Sequence, residues 1–256
     1  MNTLIELTRK IERAKPLSFG DIFSKSLDTF KKVWLQGLVS YLLSMVLALP
    51  LFFIFYVPTV VLGVINAETF EGDIEFHGMS AFAIIVIVLL FAVLFVGLAT
   101  VTLALKAAFY RIVKNKELGS QASDDYFFFF RKAYLRKTIG LSLKILGILI
   151  LAYVLCVLPV FYVIVPIYYM TLIYALNPDL STAEIIKAGF ILGNKKWFLS
   201  FGLVFVSAIL SSLIGFLMCF IGIYITQQFV DLPCYSIYKE VIGLNDKSPI
   251  DEIGKY

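Results

Sequence analysis

The side chain with the clearest chemical potential in this chain is Asp231, a carboxylate set between Gln227-Gln228 and Pro233 near the end of a long apolar run. A charged residue at the centre of a membrane helix costs about 2.5–3.5 kcal/mol on insertion scales, so Asp231 is expected to face protein or water. At the helical rise, Asp231 lies about 12 Å from the basic end at Lys239, and Lys144 lies about 10 Å from its own basic end at Lys137. The matching depths predict a pair between Asp231 and Lys144, with Gln227 and Gln228 completing a polar intramembrane cluster. Lys106 is the weaker partner, because a lysine near a helix end can carry its ammonium to the interface. The cluster has two readings, a buried structural ion pair or part of a substrate or proton pathway.

Other chemistry is sparse. Glu68, Glu71, Asp73, Glu75 and His77 share one loop and would suit a divalent cation, but carboxylates so spaced are ordinarily solvated. With His77 as its one histidine the chain builds neither a Ser/His/Asp set nor the four-histidine iron site of a carotenoid oxygenase, and it has no phosphate-cradling GxxxxGK and no HExxH. Cys156, Cys219 and Cys234 have no CxxC spacing, so neither a metal nor a disulfide framework is expected. No catalytic residue, metal or cofactor is predicted, and the chain is expected not to be an enzyme.

The elements that would position Asp231 follow from composition. Hydrophobic residues make up 60% of the 256 and charged residues 16%, with a mean hydropathy of +0.91. Soluble domains hold about half apolar and a quarter charged residues, which points to an integral membrane protein. Met1 to Lys15 scatters charges among apolar positions, unlike a signal peptide, and is expected to stay on the protein. Seven Lys/Arg precede the first apolar run, the loop Asn66 to Ser80 has none, and Lys106 to Lys137 holds eight. Basic loops remain cytoplasmic, so both termini are placed in the cytoplasm and the acidic loop outside. The composition implies membrane lipids as partners, with a membrane protein as a candidate second partner and no nucleic acid.

Six spans are predicted, at about 33–65, 81–105, 138–158, 160–175, 197–217 and 223–238, followed by a tail over 239–256. Pro50 and Pro58 fall in the first, read as one kinked span, and Pro159 divides the third from the fourth. Ser207, Ser211 and Gly215 recur every four residues as a packing stripe. Ser18 to Trp34 aligns without a gap on Ser181 to Trp197, matching Asp21 with Glu184, Lys32 with Lys195 and Trp34 with Trp197. Each copy reads as an N-capped interfacial helix, the first over 18–32, ending in an anchor: Lys32 and Trp34 in one, Lys195, Lys196 and Trp197 in the other. Leu118 to Lys137, with its run Tyr126 to Phe130, is a weaker third copy. The fold class is therefore all-α, a single polytopic membrane domain of three hairpins, each preceded by a cytoplasmic interfacial helix.

Asn177-Pro178-Asp179-Leu180-Ser181-Thr182-Ala183-Glu184, Gly193-Asn194-Lys195-Lys196-Trp197, the run Cys219 to Thr226 and the closing Ile237-Tyr238-Lys239-Glu240 resemble a group of bacterial six-span membrane proteins. That group is related to the membrane domain of glycerophosphodiester phosphodiesterases. The resemblance is best over Ser181 to Leu244 and implies a bacterial inner-membrane fold without catalytic residues. Where the group has a proline after the threonine, this chain has Gln227-Gln228.

Two functions follow as expectations. One is a non-enzymatic scaffold, envelope-homeostasis or biogenesis factor that contacts lipid or protein. The other is a transporter or lipid-handling protein using the cluster around Asp231. A bundle closed by small residues favours the first, and a lateral opening or cleft reaching Asp231 favours the second.

Overall fold

A computed structural model describes residues 3–68, 81–120, 122–218 and 221–244. These are 88% helical, with no strand among the described residues. Five helices are long and apolar enough to cross a membrane: α2 (Phe19–Glu68), α3 (Ala81–Glu117), α4 (Lys132–Leu155), α5 (Val157–Leu176) and α7 (Trp197–Leu217). Around them lie α1 (Leu4–Glu12), α6 (Thr182–Lys195), α8 (Ile221–Thr226) and α9 (Leu232–Ile242). Most of the acidic stretch, with Glu71, Asp73, Glu75 and His77, lies outside the described residues, as does the tail beyond Leu244.

The first interfacial helix and first span are one unbroken helix, which corrects the separate element expected over 18–32. Nothing between Phe30 and Leu38 stops a helix, and the buried stripe Ile22, Ser26, Thr29, Val33 continues through Gly37 and Ser40 at helical spacing. At 50 residues α2 is about 75 Å long. Pro50 and Pro58 sit inside it without dividing it. The third interfacial copy is also corrected. Tyr126 to Phe130 forms a turn and a single 3-10 turn, Phe128–Phe130. Phe129 is fully buried against Tyr134 and Tyr174, and Phe128 lies under the Arg111 guanidinium, 3.6 Å from ring centre to Cζ. Phe128 and Phe129 turn inward while Phe127 stays exposed, and Asp124, held by Lys116 and Gln36, ties the loop to α3 and α2.

Only α6 behaves as the sequence predicts for a discrete capped helix. The Ser181 hydroxyl accepts from the Glu184 N–H, and the Glu184 carboxylate accepts from the Ser181 N–H at 2.8 Å. These bonds hold the Glu184 carboxyl below its usual range. A depressed carboxyl pKa stabilises the fold above the unfolded value of about 4.3, and that share is lost as pH falls through the folded value. Ser181→Ala should cost about 1 kcal/mol, read as a lower melting temperature in detergent, and Glu184→Gln should flatten the acid limb of the melting profile.

The division between α4 and α5 falls at Cys156, whose φ of 145° breaks the helix, three residues before the expected Pro159. Pro159 is instead the third residue of α5, where its missing N–H costs nothing. The sixth span, expected as a single helix over 223–238, is not found as one helix. α8 passes into a 3-10 segment, Gln227–Asp231, and then into α9. Pro233 has no N–H for the Phe229 carbonyl and its ring crowds that carbonyl, which favours a tighter turn here. The tighter turn lets the Leu232 N–H take that carbonyl.

Buried side chains gather toward the basic end, in Leu103 to Val113 of α3, Val165 to Ala175 of α5, α6 and α9. The far halves of α2 and α3 are apolar on every side and expose Met45, Phe52, Phe53, Ile85, Val88 and Phe95. Such helices are at home in hydrocarbon.

Candidate functional site

Asp231 closes the 3-10 segment with 4% of its side chain exposed, and its partner is Lys106, Nζ to Oδ1 2.8 Å. Lys106 also lies over the Tyr168 ring, 5.1 Å from its centre, and Tyr110 donates its hydroxyl to the Asp231 carbonyl at 3.4 Å. Cys234, one turn on, is fully buried. The expected pair with Lys144 is corrected: Lys144 donates to the Thr182 hydroxyl at 2.5 Å. Matching depth sets height along the bundle and leaves direction around it open. α4 packs on α3, α5 and α6, whereas the Asp231 segment packs on α2, α7, α8 and α9.

The two glutamines separate. Gln227 is exposed, and Gln228 is buried with its Oε1 unbonded. Gly37 makes room for it, since a Cβ there would stand 2.9 Å from the Gln228 Cβ. The stripe on α7 does what its spacing implies. Ser211 donates to the Thr226 carbonyl and Thr226 to the Ser211 carbonyl, each at 2.9 Å, and a Cβ on Gly215 would meet the Ile223 backbone at 2.9 Å.

Of the anchors, Lys32 and Trp34 are exposed. Lys195 and Lys196 instead donate to the carbonyls of Glu12 and Lys15, at 2.6 and 2.7 Å, and so clamp the end of α1 to α6. Burial lowers the pKa of the Lys196 ammonium, with Lys195 adding to the effect. Trp197 donates its ring N–H to the Tyr162 carbonyl at 3.1 Å. That carbonyl lies four residues before Pro166, so Trp197 occupies an acceptor that the proline leaves free.

Glu117 escaped the sequence reading. It is the last residue of α3, 8% exposed, and receives Thr29 at 2.8 Å, Tyr235 at 2.9 Å and Lys239 at 3.0 Å. A carboxylate at a helix C-terminus opposes the macrodipole, and that mismatch was the available signal that it had partners. Lys25 with Glu240 and Ser26 with Ser236 extend the same layer between α2 and α9.

A lateral groove of about 570 Å³ opens between α2 and α3, lined by Leu47, Pro50 and Leu51, by Ala92, Val93, Val96, Gly97, Thr100 and Val101, and by Ile139 of α4. Thr100 bonds Ser142 at 2.8 Å and the Val96 carbonyl at 2.7 Å, so its hydroxyl is already engaged. Neither Asp231 nor Lys106 is among the lining residues. No family model, curated protein or solved structure matches the chain.

Proposed function

We propose that this protein is a non-enzymatic scaffold, envelope-homeostasis or biogenesis factor of the bacterial inner membrane, holding anionic lipid or a partner protein at its basic rim. The observation that carries this reading is the state of Asp231, bonded to Lys106 and almost without exposure. A carboxylate so engaged acts as a fastening between α3 and the broken crossing. Six crossings with both ends cytoplasmic are supported by five long helices plus the α8–α9 element, which reaches about 35 Å against a hydrocarbon core of about 30 Å. The charge asymmetry supports the orientation, and motif likeness supports kinship with the six-span group. The lateral groove favours a second reading, lipid handling.

The test is thermal unfolding of the reconstituted protein. Vesicles containing phosphatidylglycerol should raise the melting temperature over phosphatidylcholine alone, by an effect that shrinks with salt, since each rim Lys or Arg near an anionic surface contributes about 1 kcal/mol. Equal melting in both lipids, or solute flux across vesicles lost in Asp231→Asn, would replace this reading with the transport one.

A further inference from the structure

Basic residues at the rim divide into those already engaged and those still available. Arg131 is paired with Asp125 at 2.6 Å, Lys116 with Asp124 at 3.3 Å, Lys239 with Glu117, and Lys137 with the carbonyls of Pro178 and Leu180. Lys132 and Arg136, both exposed on the first two turns of α4, make no ion pair among the described residues. They stand four residues apart, and Ile139 stands three residues beyond Arg136, so the three lie along one face of the helix. Ile139 is the α4 residue that lines the lateral groove. The groove therefore begins about 5 Å above Arg136 and about 10 Å above Lys132 along the helix axis.

The trough suits hydrocarbon and little else. Its polar residue, Thr100, has its hydroxyl bonded, and its centre is Gly97, where a Cβ would stand 2.9 Å from both methyls of Leu51. From Ala92 to Val101 it extends about 14 Å along α3, and its volume falls within the roughly 300–1,000 Å³ of small-ligand sites. We infer that this groove holds one acyl chain of an anionic phospholipid whose phosphate is bound by Arg136 and Lys132. The inference rests on the lipid-contact reading above and narrows it to one lipid in one place. Guanidinium meets phosphate by paired hydrogen bonds, and the adjacent ammonium adds charge, so headgroup selection comes from the two cations and retention from the trough.

The experiment uses the full chain, delipidated in detergent and re-equilibrated with equal phosphatidylglycerol and phosphatidylcholine, with bound lipid counted by native mass spectrometry. Wild type should retain one phosphatidylglycerol per chain with a preference of about 30-fold, the sum of two basic contacts. Arg136→Gln should lower that preference about fivefold with melting unchanged. Val96→Trp fills the middle of the trough, and Ala92→Trp fills its exposed far end without touching the core. Each should abolish retention of the single tight lipid.

Retention unchanged in both tryptophan variants would overturn the groove as the site, and unchanged preference in Arg136→Gln would overturn the headgroup assignment. A shift from dimer to monomer on filling would show a second copy of the chain to be the occupant. Vesicle stabilisation by phosphatidylglycerol that survives groove filling would remove the single site and leave the rim reading standing. Absence of that stabilisation in wild type would remove the rim reading itself.

Discussion

Lys106→Met should be the most damaging single change around the polar cluster, costing about 3 kcal/mol, the lower end of the range for breaking a buried pair because Lys106 is itself about one-third exposed. The loss comes from the carboxylate left behind at 4% exposure, for which Tyr110 offers a bond to the backbone oxygen and none to the side chain. Asp231→Asn should cost less. It leaves the lysine, and a lysine on a flexible stem can swing its ammonium toward the interface. The double variant Lys106→Met with Asp231→Asn should recover most of the stability, since removing both partners of a buried pair is often near neutral. Melting temperatures in one detergent provide the order. A double variant as unstable as Lys106→Met would mean that the charges do more than fasten α3 to the segment Gln227–Asp231.

Substitution at Gly193 should be nearly as severe, for a reason of shape. A Cβ there would stand 2.9 Å from the Pro166 Cα and 3.0 Å from its nitrogen, and one on Gly189 would stand 3.1 Å from the Met170 nitrogen and 3.2 Å from the Pro166 carbonyl oxygen. These are backbone atoms, which no side-chain rotation relieves, so α6 must lift off α5. Gly193→Val should cost about 3 kcal/mol, the upper end for an overpacked site, and Gly189→Val about the same. Gly147→Ala provides the contrast, because no heavy atom lies within 4 Å of its added Cβ, and alanine gains roughly up to 1 kcal/mol of helix propensity. Comparable losses at Gly147 and Gly193 would show that the α5–α6 contact is looser than its geometry.

Which parts of this arrangement were legible in the sequence depends on whether the controlling interaction is local. Ser181 and Glu184 are three residues apart and announce their cap, and Ser207, Ser211 and Gly215 announce a packing face, because helical periodicity alone decides both. Thr3 and Glu6 carry the same capping pattern, so the start of α1 is equally local, although the charges scattered around it mask its apolar face. The break before Asp231 was readable too, from Pro233 four residues after Phe229. The partner of Asp231 was not. Depth in the membrane follows from counting residues, but direction around the bundle depends on which helices are neighbours, and α3 rather than α4 supplies the cation. The inward turn of Phe128 and Phe129 was hidden for the same reason, since Arg111, Tyr134 and Tyr174 come from other elements.

The packing of α9 against both α1 and α2 also has a bearing on how the chain is made. Synthesis runs from α1 toward α9, so Ile22, Ser26 and Thr29 emerge from the ribosome about two hundred residues before Ser236, Tyr235 and Lys239, with which their layer is completed. In that interval Glu117 has only Thr29 among these partners, and α1 has no α9 to pack against. A chain stopped short of Leu232 therefore leaves uncovered the faces of α1 and α2 on which α9 packs, and should be cut there by proteases more readily than the full chain.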